Sequence, residues 1–208
     1  PVRPDGLEHA LWQLVTGGIT PGRRLQAFRQ YVSLAESEQA AAQLYQIWEK
    51  RELEGKPLSE RDEINLSYQL VIRLPEKADE IVNEQLKRIS NPDRQAEYWF
   101  ISPSVSPRKE VRDSVFEALL VADNRRIEPW ASTALSLLNH RLREAESVEY
   151  ILPALEILEE VQRTGDIFFP TAWLRALLGG HSSVQARDEV EAFYAEYPDF
   201  PEMLLNKI

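Results

Sequence analysis

At 208 residues with a formal charge of −10, the chain can bury a sizeable core as one domain or two small ones, and its acidic balance argues against non-specific binding to nucleic acid or anionic lipid. The lack of Cys excludes disulfides, Cys-ligated zinc and thiol catalysis. No run approaches the roughly 18 apolar residues that cross a bilayer, and no basic segment leads into an apolar one as in a signal peptide.

Those absences leave the compartment open and tilt it toward the cytoplasm. The chain opens on Pro1 without Met and stops at Ile208 in a helix that has only begun (PEMLLNKI). Both ends read as those of a segment from a longer protein.

Helical periodicity runs through nearly the whole chain, and strand signals are almost missing. Asp5 is placed to cap a first helix with Leu7, Leu11, Leu14 and Val15 on one face, stopped by Gly17 and Gly18. After Pro21-Gly22 a second carries Leu25, Phe28, Val32 and Leu34. Ser37 opens a third, with Ala41, Leu44, Tyr45, Ile47 and Trp48 inward, ending near Gly55. Ser59 with Asp62 reads as a capping box ahead of Ile64, Leu66, Leu70, Val71 and Leu74. Pro75 breaks the pattern and begins a helix with Ile81, Val82, Leu86 and Ile89.

Ser90-Asn91-Pro92 ends that helix and starts one with Tyr98, Trp99, Phe100 and Ile101. Residues 102–108, SPSVSPR, read as the clearest loop and the softest internal boundary. Beyond it come helices marked by Val111, Val115, Phe116 and Leu119, by Pro129, Trp130, Leu135 and Leu138, and by Ile151, Leu155, Leu158 and Val161. A sharp turn and a Pro170-started helix follow, then one with Val190, Phe193 and Tyr194, and a last beginning at Pro201. About twelve helices with short links predict an all-α fold: an α-α superhelix of stacked antiparallel pairs, irregular and HEAT-like, in one domain over residues 1–208.

Catalytic signatures are missing. The histidines His9, His140 and His181 are far apart and no H-E-x-x-H occurs. His140 reads as a C-terminal helix cap and His181 as part of the cap before the helix at Ser182 or Ser183. There is neither a G-x-S-x-G elbow nor a phosphate loop. Carboxylates are too abundant to single out a pair, so an unrecognised carboxylate site stays open as a third reading. Basic pairs recur at Arg23-Arg24, Arg125-Arg126 and Arg141 with Arg143. On an acidic protein such a spot facing a cavity suits a carboxylate or a peptide end.

The segments NPDRQAEYWFISPSVS, RDSVFEALL, NRRIEPWASTALSLLNH, LEEVQRTGDIFFPTAWL and the start of FPEMLLNKI resemble the C-terminal helical domain of zinc aminopeptidases of the aminopeptidase N family. The likeness covers roughly the last 120 residues; residues 1–90 fit by helical pattern alone. The resemblance implies a C-terminal piece of a larger aminopeptidase that closes the peptide chamber over a catalytic module elsewhere in the parent chain. Zinc and the glutamate-activated water would belong to that module, so this piece is expected to be inactive alone. Partners are then the catalytic module and a peptide substrate, with no nucleic acid and no membrane segment. Arg94, Arg125 and Arg126 are the candidates for lining the chamber. The alternative is a free-standing helical-repeat scaffold that binds a protein or peptide in its concave face.

Overall fold

The computed structural model describes residues 4–17 and 20–208, with only the backbone of Pro4 and Asp5. The chain forms two compact units that meet in sequence at Pro92 and Asp93. The first contains α1 (Pro4–Thr16), α2 (Pro21–Leu34), α3 (Glu38–Lys50), the antiparallel strands β1 (Glu52–Leu53) and β2 (Lys56–Pro57), α4 (Glu60–Arg73) and α5 (Ala78–Arg88). The second opens with α6 (Pro92–Ile101), continues through α7 (Lys109–Leu119), α8 (Glu128–Leu138), α9 (Glu144–Ser147), α10 (Ile151–Glu156) and α11 (Leu158–Thr164), and ends with α12 (Phe169–Leu178), α13 (Val184–Glu196) and α14 (Glu202–Leu205). The fold class is all-α and of the helical-repeat kind.

Local chemistry sets the helix starts. The hydroxyls of Ser37, Ser59 and Ser183 accept the N–H groups of Ala40, Asp62 and Ala186, which satisfies donors that have no partner within the helix. Packing then selects the faces. In the first unit Leu44 and Trp48 of α3, Leu66 and Leu70 of α4 and Ile81 of α5 are buried. Trp48 also donates its indole N–H to Gln85 at 2.7 Å, and the Arg88 guanidinium lies 4.2 Å from its ring centre. In the second unit α8 packs on α12 and α10 on α13, around Leu135, Leu138, Leu155, Phe169, Trp173 and Phe193.

Several local features differ from expectation. α1 begins at Pro4, so Asp5 lies inside the first turn; its side chain and Gly18 fall outside the described residues. The hairpin of β1 and β2 turns on Glu54 and Gly55, both at positive φ, and two-residue strands leave no periodic signature. The stripe of Ile151 to Val161 spans two helices, because Ile157 departs to φ −88°, ψ 5° without interrupting the apolar face. Residues 102–105 form a buried 3-10 turn inside the second unit. The guanidinium of Arg112 donates to Ser106 O at 2.7 Å and Pro107 O at 3.1 Å, and that of Arg143 to Val105 O at 3.0 Å.

Long-range polar ties join one pair of helices to the next. Carboxylates near helix starts receive the N–H groups that open later helices: Glu8 takes those of Glu36 and Ser37, Glu60 that of Ser90, Glu128 that of Asp166, and Glu144 those of Ser182 and Ser183. These span 28 to 39 residues. Helix ends are finished by arginines further on. Arg73 donates to Val32 O and Ala35 O, and Arg88 to Trp48 O, across 38 to 41 residues. The longer of these separations approach one helix pair of a HEAT-type array, about 40 to 47 residues, and the shortest fall well below it.

Candidate functional site

The three arginines of the expected chamber lining occupy different settings. Arg94 is exposed in the first turn of α6. Arg125 is buried, 2 % exposed, and works inside the unit: it donates to Leu119 O at 2.6 Å at the end of α7, stands 3.1 Å from Glu160, and lies 5.5 Å from the centre of the Trp173 ring. Arg126, with its side chain 77 % exposed, pairs with Asp123 at 2.8 Å, and an ion pair that open to water contributes little. Arg125 is therefore a strut between helices, while Arg126 and Arg94 are on the surface.

The link between α11 and α12 carries the most conspicuous surface feature. Ile167 and Phe168 are 80 % and 75 % exposed, yet the turn that bears them is held from both sides. The Asp166 carboxylate accepts the N–H groups of Phe168 at 2.7 Å and Phe169 at 2.9 Å, and Glu128 accepts that of Asp166 at 2.8 Å. Phe169 and Pro170, directly after the tip, are buried. Glu128 opens α8, so its neighbour Ile127, also exposed, belongs to the same edge. Ile167 and Phe168 are the two most exposed large apolar side chains among the described residues.

A second polar cluster sits at the α12–α13 link. His181 shares a 2.8 Å hydrogen bond with Asn139 Oδ1, whose amide donates to Leu135 O at 3.0 Å. Burial lowers the His181 pKa, against the opposing pull of Glu144, 3.9 Å away. Burial also pushes the Glu144 carboxyl up, but the hydrogen bonds from Ser182 and Ser183 outweigh it and hold the group below its usual range. His140 starts the next turn, accepting the Leu142 N–H at 3.2 Å, and Asn139 rather than His140 caps α8. Among the described residues no group of three or more His, Asp or Glu is arranged to hold a metal ion.

The first unit contains a cavity of about 270 Å³ between the start of α2, the hairpin and the start of α4. Pro21, Leu25, Leu53, Pro57 and Leu58 give it apolar walls, and Arg24, Lys56, Ser59 and Asp62 its polar groups. Arg29 donates to both Asp62 oxygens, at 2.8 and 3.3 Å, and Ser59 donates at 2.6 Å. Burial raises the Asp62 pKa, yet these bonds prevail and hold it low. Arg24 donates through one Nη to Gly17 O at 3.3 Å, while its buried Nε has no hydrogen-bond partner among the described residues. Of the basic pair Arg23-Arg24, Arg24 thus lines a cavity. The hairpin that completes the cavity, about thirty residues downstream, left no trace in the sequence pattern.

Fold and surface together define an all-α module of the helical-repeat kind. Comparison with family models, with curated proteins and with solved structures finds no match to this chain. No helix among the described residues is long and apolar enough to cross a membrane.

Proposed function

We propose that this chain is a non-catalytic docking module whose α11–α12 edge closes against another folded module. The observation that carries the reading is the held turn displaying Ile167 and Phe168. The sequence resemblance of residues 91–208 supplies the class of partner, the catalytic module of an aminopeptidase N-type zinc enzyme. Zinc and the nucleophilic water belong to that module. The helical module's contribution is to close the peptide chamber and keep bulk water out while N-terminal residues are removed. Arg94 and Arg126, as surface cations, remain candidates for contact with peptide.

The coding sequence upstream of Pro1 tests the assignment. A segment encoding H-E-x-x-H supports it; a complete reading frame without one overturns it and leaves the free-standing scaffold that binds a protein or peptide on its concave face. The docking edge has its own test in the full-length protein. The double change I167D/F168D is expected to lower peptidase turnover and expose the junction between modules to protease. Stability of the isolated chain should stay within about 0.5 kcal/mol, as for ordinary surface changes. Unaltered turnover and nicking would remove the edge from the interface.

A further inference from the structure

We infer that the cavity between α2, the β1–β2 hairpin and α4 binds a small organic acid, a carboxylate joined to a compact apolar group. Its charge balance points there. The carboxylate of Asp62 is neutralised by Arg29, so among the described residues the charges on the wall without an ion-pair partner are the two cations, Arg24 and Lys56. A carboxylate in the cavity offers two oxygens to the planar guanidinium and an opposite charge to the Lys56 ammonium. The remaining walls, Leu25, Leu53, Pro57 and Leu58, suit a branched aliphatic tail and offer it no hydrogen bonds. A volume of about 270 Å³ lies just under the usual range for ligand pockets, roughly 300 to 1,000 Å³, which restricts the ligand to a short chain.

The hairpin is built to close such a site. Leu53 and Leu58 are buried while Lys56 is exposed at its edge. Leu58 N–H donates to Arg51 O at 2.9 Å and fastens the hairpin base.

The test is a titration of the intact 208-residue chain, followed by amide and arginine Nε–H resonances, with 4-methylpentanoate, its neutral amide, and N-acetyl-L-leucine. The acid is expected to give saturable shifts confined to residues 20–25 and 51–62 and to the Arg24 Nε–H, and the amide none. R24Q is expected to weaken binding at least about tenfold and K56Q about threefold, as for a direct and a peripheral charge contact. Should R24Q fail to fold by circular dichroism, K56Q decides alone. Tighter binding of N-acetyl-L-leucine than of the free acid would identify the source as a peptide end, and the reverse as a free metabolite-type acid. No saturable shift up to about 10 mM, the limit of meaningful affinity, or equal shifts with acid and amide, or undiminished binding in both variants, overturns the inference.

Discussion

At the scale of single residues, two glycines show how differently the same substitution behaves. A Cβ on Gly180 would lie 1.7 Å from the backbone oxygen of Asn139, an approach that requires the α8 and α12 links to move apart. Gly180→Ala is expected to cost more than about 2 kcal/mol in urea unfolding. Gly55 has open space around its Cα but sits at φ +71°. Gly55→Ala should therefore cost only about 1 kcal/mol, from backbone strain alone. His181 makes a prediction in pH. Its folded ring holds a proton less tightly than free imidazole, so the unfolded chain takes up the proton first as pH falls below about 6.5. Stability then declines from that pH downward until the folded ring also titrates. The urea midpoint should drop between neutral pH and about 5.5, and His181→Gln should flatten that part of the curve. An equally steep curve in the variant would assign the decline to other groups.

At the scale of elements, the helices were legible because their causes are local: Ser37, Ser59 and Ser183 cap starts, Pro21, Pro92 and Pro170 occupy first turns, and apolar residues recur at helical spacing. What escaped has non-local causes. The SPSV turn at 102–105 looks like a loop until Arg143, 38 residues on, is seen to satisfy its backbone. Arg125 looks like any exposed basic residue until Trp173 and Glu160 close over it. The cavity needed the hairpin, and the hairpin's turn is Glu54-Gly55 rather than the Asn-Gly that marks such turns most strongly. Glu144 offers an element-level test. It caps the start of α13 through the Ser182 and Ser183 N–H groups, so Glu144→Ala should cost about 1 to 2 kcal/mol. Amide exchange should speed up first at residues 182–187. A uniform rise in exchange across the second unit would mean that the contact supports global stability rather than one helix start.

At the scale of the whole molecule, polar ties repeat at separations close to one helix pair, so each segment is supported chiefly by its neighbours in sequence. Damage should then remain near its origin. Trp173 is fully buried and donates to Ala154 O at 3.1 Å, so Trp173→Ala should cost about 3 to 5 kcal/mol. Hydrogen exchange should locate the loss in residues 93–208, with residues 4–92 little changed. The direction of the ties also bears on how the chain is made. Glu8, Glu60, Glu128 and Glu144 all precede the helix starts they complete, whereas Arg73, Arg88 and Arg143 follow the carbonyls they complete. On a ribosome, each of those helix starts emerges to find its acceptor already synthesised, but the carbonyls of Val32, Ala35 and Val105 wait about forty more residues for their arginines. At synthesis rates of roughly 5 to 20 residues per second, that wait lasts seconds. At these points the nascent chain thus grows with settled helix starts and unfinished carbonyl ends, and translational pausing just before Arg73 or Arg143 would prolong that unfinished state.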